Sequence, residues 1–320
     1  MEKAVSLSHD LERSERRRKL RTNIGLHKGL YAMLAFPVIY VFIFNYIPMY
    51  GVIIAFQNFM PRFGIMGSEW VGFRHFMRFI DSPAFGQVVG NTIILNLYGL
   101  IAGYPLPIIM GIGITYMRSV WIKKSIQFIT FVPQFFSTVI VVAIILQLMD
   151  TRFGVVNNIL DAIGAPTVDV LGSAGAYRHL FVWTGIWQGL GFSAVLFIAT
   201  LAGVDPEMHE AAVIDGATIW KRIWHIDLPT ILPTIVITSI FAVSNLLGGV
   251  SLERTLLLQN PVNMSVSEVI PSFVYRVGIA GAHADFSFAT AVGLFQNVVG
   301  LILILITNRL AKALTGMGLF

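Results

Sequence analysis

The sequence predicts an all-α, polytopic membrane protein with six transmembrane helices. Two observations carry that reading. Of 320 residues, 56% are hydrophobic and only 12% charged, whereas an ordinary soluble domain is about 25% charged. The apolar residues also gather into long runs free of Asp, Glu, Lys and Arg. Ser125 to Met149, Leu180 to Val204 and Leu228 to Leu252 each run 25 residues, and Phe286 to Asn308 runs 23. Roughly 20 apolar residues cross the hydrocarbon core as a helix, so each run is one span. Two longer runs, Gly29 to Pro61 and Ser82 to Met117, exceed a straight crossing and must tilt, kink or partly leave the membrane.

Taken in order, residues 1–28 form a basic segment holding eight Lys or Arg, among them Arg16, Arg17, Arg18 and Lys19. Such a run suits anchorage near anionic headgroups. Its length, and that of the apolar run behind it, do not fit a cleavable signal peptide. The first span, near 29–56, carries Pro37 and Pro48, which remove backbone donors and bend a helix. In the loop 57–87, Trp70, Phe73, Phe76 and Phe79 recur at the spacing of an interfacial amphipathic helix, with Arg74 and Arg78 outward. The second span is expected near 88–116, the third at 125–149 around Pro133, and the fourth near 179–202. The fifth is expected near 230–252 and the sixth at 286–308. Leu247-Gly248-Gly249, inside the fifth, fits close helix packing or a local break. The loops 150–178 and 253–285 are too short for a separately folded domain.

The positive charges sort by segment. Fifteen Lys and Arg fall in the N-terminal segment, the loop after span two, the loop after span four and the C-terminus, against seven in the three opposite loops. The positive-inside rule puts the larger group in the cytoplasm, with both termini, and an even number of spans follows. The net charge of +5 is therefore placed for a membrane and not for nucleic acid. Cysteine is absent, which removes disulfides and thiolate metal sites. The seven His residues show no H-E-x-x-H spacing, and the chain lacks the G-x-x-x-x-G-K-[ST] loop that cradles nucleotide phosphates. No enzyme site is legible.

The loop at 203–229 is the most informative segment. Asp205-Pro206-Glu207 reads as a helix start, because Asp accepts from free amides, Pro is tolerated at the first position and Glu suits the positive end. The helix is expected to run to about Ile214, with Gly216 making a sharp turn into a second short helix near 218–225. Glu210-Ala211-Ala212, Gly216, Ile226, Leu228 and Pro229 spell E-A-A-x3-G-x9-I-x-L-P. This is similar to the EAA loop of ABC importer permeases. Tyr46 to Phe56, Pro271 to Gly278, Ala289 to Phe295 and Asn308 to Lys312 further resemble the oligosaccharide/polysaccharide branch of the maltose-type permeases, including those of alginate importers.

The resemblance implies an ABC type I importer permease fold for residues 29–320. It implies a non-catalytic translocation subunit of the bacterial inner membrane, paired with a second homologous permease subunit. Two separate ATPase subunits would hold ATP and Mg, leaving no cofactor and no metal in this chain, and a periplasmic or extracellular solute-binding protein would deliver the saccharide. Glu210, Ala211, Ala212, Asp215 and Gly216 would carry ATPase coupling. The sugar in such systems is gripped mainly by the helices flanking the loop, which makes Trp183, Trp187, Gln188, Phe192 and Asn245 candidates for the substrate path. Gln134 and Thr138 in span three join them. Aromatic faces suit a pyranose ring, and amides or hydroxyls suit its OH groups. The bland alternatives are interfacial anchoring for the tryptophans and interhelical hydrogen bonding for the amides. Arg152, Arg254 and Arg276 on the opposite side could meet a uronate carboxylate, although Glu253 stands ready to pair with Arg254. An ion-coupled secondary sugar transporter is the alternative class. It commonly needs an ionisable relay within a span, which the four clean runs lack, and it leaves the EAA loop unexplained.

Overall fold

The computed structural model describes residues 27–170, 172–281 and 283–319; most of the basic N-terminal segment lies outside them. The architecture is helical, as the long apolar runs require. Among the described residues five helices are long and apolar enough to cross a membrane: Lys28–Phe56, Pro83–Tyr116, Ala174–Leu201, Ile219–Ser244 and Phe286–Thr315. A bent apolar pair, Val120–Phe135 and Thr138–Leu148, whose axes differ by 103°, makes a sixth when the two halves are counted as one broken span.

The apolar stretch expected as one span over 125–149 around Pro133 is thus broken, and its first half begins at Val120. Pro133 lies in a short 3-10 turn, Val132–Phe135, after which Phe136 and Ser137 are extended. Proline cannot donate, and Ser137 then restarts the helix by accepting from the Ile140 amide at 3.4 Å. Carbonyls freed at such a break need a donor inside a bilayer. Gln188 on span four supplies one, its Nε2 donating to the Phe136 carbonyl at 3.0 Å. Span four comes in close here because Gly191 has no side chain: a Cβ there would overlap the Thr130 carbonyl.

The first span is also irregular. A π-turn at Phe42–Tyr46 and a 3-10 stretch at Tyr50–Phe56 flank Pro48. Residues 27–50 are exposed throughout, and only the Tyr50–Phe56 end packs on the sixth span. The interfacial helix after it covers Arg74–Ile80 only. Trp70 instead sits in a two-residue antiparallel ladder, Gln57–Asn58 with Glu69–Trp70, stacked on Phe56 at 5.7 Å. Arg78 is exposed as expected and bonds Asp285 at 2.7 Å.

Beyond span four, the second short helix is not separate. Ile219–Arg222 continues through a π-turn, Ile223–Asp227, into Leu228–Ser244, so span five begins eleven residues earlier than 230 and ends at Ser244. Leu247-Gly248-Gly249 falls in the turn that follows, where the Gly249 amide donates to the Asn245 carbonyl at 2.6 Å; the local-break reading holds. The segment 253–285 is folded onto the spans by short helices, Leu252–Leu258, Met264–Ser267 and Ile270–Tyr275. Asn91 and Thr92 of span two fasten it: Asn91 Nδ2 donates to the Ser265 and Glu268 carbonyls, and Thr92 Oγ1 accepts from the Ile270 amide at 2.9 Å. Buried apolar residues fill the gaps, with Leu95, Tyr177, Leu258 and Val269 in one core and Phe79, Val88, Phe288 and Val292 in another.

Candidate coupling loop and translocation path

The helix of the coupling loop spans Pro206–Ile214, and the side chain of Asp205 accepts from the Glu207 amide at 3.0 Å. Its far end closes with the Ala217 amide donating to the Ala212 carbonyl at 2.8 Å and the Gly216 amide to the Val213 carbonyl at 3.0 Å. This pair of bonds requires a left-handed residue between helix and exit, and Gly216 supplies it at φ +72°. A Cβ at Gly216 would meet nothing within 4 Å, so the glycine is there for its backbone and not for packing. Ala212 is half-buried, while Glu210, Ala211 and Asp215 are exposed.

The loop is tied to the spans at a buried carboxylate. Asp227 is 0% exposed and accepts from the Tyr116 hydroxyl at 2.6 Å. Its other oxygen lies 3.3 Å from His209 Nε2 on the coupling helix, without hydrogen-bond alignment. The Arg222 guanidinium sits 5.3 Å over the Tyr116 ring. Asp227 thus joins the coupling helix, the end of span two and the base of span five, a role that sequence reading missed. The sequence shows Asp227 two residues before Pro229, but the joint exists only in three dimensions, since Tyr116 and His209 are remote in sequence. Away from this joint the loop presents apolar surface, with Ile214, Trp220 and Trp224 at 85%, 73% and 66% exposure. Isolated exposed apolar residues are ordinary, but a cluster on one projection marks a contact surface.

The candidate path residues divide. Phe192 and Asn245 line a cavity of about 530 Å3 between spans two, four and five, together with Asn96, Tyr104, Ser193 and Thr238. A smaller cavity of about 250 Å3 adjoins it, sharing Asn96, Gly99 and Ser193 and reaching Gly185, Gly189 and Arg254. Trp183 and Trp187 line a different, apolar cavity of about 590 Å3 with Phe136 and Ile144. Helix geometry explains the split, because Phe192 is nine residues from Trp183, about two and a half turns. Trp183 Nε1 also donates to the Tyr98 hydroxyl at 2.9 Å, and that hydroxyl lies 2.7 Å from His179 Nδ1. Gln188 is buried between Phe136 and Arg254. Gln134 is exposed, its Oε1 facing Gly189, and Thr138 opens the helix after the bend. The structure therefore brings Phe192 and Asn245 to one cavity, sends the tryptophans to another and holds Gln188 as a tie.

The arginines are equally distinct. Arg276 pairs with Glu268. Arg152 is exposed in a turn closed by Asp150. Arg254 does not pair with Glu253: its guanidinium donates to Gln188 Oε1 at 2.6 Å.

Five membrane-length helices, a bent apolar pair and a well-capped helix projecting before the Ile219–Ser244 span define a polytopic integral membrane protein. Residues 103–316 match the binding-protein-dependent transport system inner membrane components, and the chain belongs to that family. It is 35% identical over 308 residues to the polygalacturonan/rhamnogalacturonan transport system permease protein YteP of Bacillus subtilis (strain 168), covering 96% of this chain and 95% of that one. It is 38% identical over 293 residues to protein LplB of the same organism, covering 92% and 91%. It also superposes on a chain of a crystal structure of a bacterial ABC transporter involved in the import of the acidic polysaccharide alginate. There the TM-score is 0.83 at 33% identity, with 93% of this chain and 99% of that chain covered. A crystal structure of a bacterial alginate ABC transporter in complex with an alginate pentasaccharide-bound periplasmic protein gives a TM-score of 0.84 at 32% identity, with 93% and 99% covered.

Proposed function

We propose that the chain is a translocation subunit of an ATP-driven importer that carries oligo- or polysaccharide, uronate-containing chains among them, into the cytoplasm. The observation that carries this reading is the coupling loop: a rigid, capped projection with exposed Ile214, Trp220 and Trp224, tied through Asp227 to spans two and five. A passive pore or an ion-coupled carrier does not require it. A projection braced on two spans can turn a push from a separate ATPase into movement of the cavity walls. Glu210, Ala211, Ala212, Asp215 and Gly216 form the coupling surface in this reading, and ATP and Mg belong to the ATPase partners. A second permease subunit closes the cavity, and an external binding protein loads it. The membrane is the bacterial cytoplasmic membrane, with both termini and the coupling loop inside. The substrate path runs past Phe192, Asn245, Asn96 and Thr238, which offer one aromatic face and several hydrogen-bonding groups around a common space.

The test is reconstitution with partner permease, ATPases and binding protein, reading ATP hydrolysis against saccharides. Stimulation by loaded binding protein is expected. A complex whose hydrolysis ignores every saccharide tried would refute the reading.

A further inference from the structure

Most arginines in the loops opposite the coupling loop have ordinary occupations. Arg78 pairs with Asp285 and Arg276 with Glu268, Arg178 bonds Asn91, and Arg62 lies over Phe63. Arg178 and Arg254 are both half-buried and bonded to a neutral amide, and what sets Arg254 apart is its place in a cavity wall that continues toward Asn96 and Ser193. Its polar partner is neutral, Gln188, and among the described residues no carboxylate reaches ion-pair distance of it. Its Nε is buried without a hydrogen-bond partner, as are those of Arg178 and Arg222. Burial lowers the pKa of Arg254 from the ordinary value, as expected of a cation held away from water.

A partly buried guanidinium with no ion-pair partner in contact is costly unless a ligand or hydrogen bonds meet it, which makes this cavity wall a candidate position for an anionic group. The surroundings are arranged around it. A Cβ on Gly185 would collide with the guanidinium, so the bare backbone of span four is what lets the group lie there. Phe181 sits under it, 5.7 Å from ring centre to guanidinium carbon. Among the described residues no Asp or Glu lines either adjoining cavity. Gly99 and Gly189 leave further wall without side chains; a Cβ at Gly99 would meet nothing within 4 Å.

We propose that Arg254 is a specificity-determining residue of the path, receiving the carboxylate of a uronate unit as an acidic saccharide enters the cavity. A guanidinium offers a carboxylate charge and a planar set of donors together. Gln188 fixes the group, and Asn96 and Ser193 stand in the same wall to meet sugar hydroxyls. This inference rests on the saccharide-importer reading and narrows it to acidic chains.

The experiment compares oligogalacturonates with the same oligomers fully methyl-esterified, which keeps the backbone and removes the charge. The complete complex, with one unchanged binding protein, is reconstituted carrying either the wild-type chain, Arg254→Gln or Arg254→Lys, and half-maximal concentrations for ATPase stimulation are read. Because only the permease differs, a change in the acid-to-ester ratio belongs to this chain. Arg254→Gln is expected to raise the half-maximal concentration for the acid about ten-fold, the scale of one charge-assisted contact, and to leave the ester unchanged. Arg254→Lys, which keeps charge without the planar donor set, should fall between, and it decides the matter if the Gln variant does not assemble. An unaltered acid-to-ester ratio in the variants, or equal loss for both oligomers, overturns the proposal. Absence of stimulation of the wild-type complex by either oligomer and by neutral oligosaccharides overturns the importer reading itself. Stimulation by neutral oligosaccharides alone overturns only the assignment to Arg254.

Discussion

Gln188 and Arg254 share a 2.6 Å hydrogen bond, and the other end of the same amide donates to the Phe136 carbonyl at 3.0 Å. One buried side chain therefore ties the bend of span three, the middle of span four and the segment following span five. Truncating it leaves a carbonyl and a cation short of partners in a dry setting. Gln188→Ala is expected to lower stability by about 1–3 kcal/mol, seen as a fall in the thermal midpoint of the purified protein. An unchanged midpoint would mean that the bend is held by other contacts.

At Gly216 the demand is conformational. The left-handed φ of +72° and the empty space around a Cβ predict that Gly216→Ala costs about 1 kcal/mol and preserves transport. Gly216→Pro fixes φ near −65° and removes the amide that bonds the Val213 carbonyl. The spans should still insert, with ATP hydrolysis no longer linked to transport. Normal uptake by the proline variant would count against the coupling assignment.

Gly191 makes the opposite case, because there the space is filled. Its hypothetical Cβ would fall against the Thr130 carbonyl and within 2.6 Å of the Phe131 amide nitrogen. Gly191→Val must push span four off span three, at about 1–3 kcal/mol or more for an overpacked contact. Folded yield after detergent extraction should drop for Gly191→Val and hold for a substitution at the exposed Gly113, which has nothing within 4 Å of its Cβ.

Asp150 gives a pH dependence whose sign is fixed. Its carboxylate accepts from the Phe153 amide at 2.8 Å and the Arg152 amide at 2.9 Å, and these bonds hold its pKa below the ordinary 3.8. A depressed pKa stabilises the folded form above the unfolded value, and that contribution is lost as pH falls through the folded one. Thermal midpoints measured from about pH 5 down to about pH 3 should fall less steeply for Asp150→Asn than for the wild type. Parallel curves would show that the turn contributes nothing.

Hydropathy located the apolar stretches because uncharged length is what a bilayer demands of a helix. It could not give their angles. The break in span three was not legible because Pro133 alone does not tell whether a helix kinks or stops; the answer lies in the extended Phe136–Ser137 pair and in the remote Gln188. Span five was placed too late because Lys221, Arg222 and Asp227 read as loop charges, although they ride on the same continuous helix. The capped helix at Pro206–Ile214 and its turn at Gly216 were legible almost residue by residue, since caps and turns are local chemistry. The candidate path residues were chosen by residue type alone. Which face Trp183 or Phe192 presents depends on the packing of spans two, four and five, and no local pattern encodes that.

The exposed first span has a consequence in time. Residues 27–50 find no cover among the described residues, and much of the packing at their end comes from a helix more than 200 residues later. The Phe59 amide donates to Ser287 Oγ at 2.9 Å, and Tyr50–Phe56 packs on Phe286–Thr315. Until Phe286–Thr315 is made, residues 27–50 must wait in lipid as a lone helix whose backbone bonds are internal, held at one end only by the Phe56 stack on Trp70, Phe73 and Phe76. Closure of this part of the fold is a long-range event, and a chain truncated before residue 286 would lose the packing of Tyr50–Phe56 on that helix.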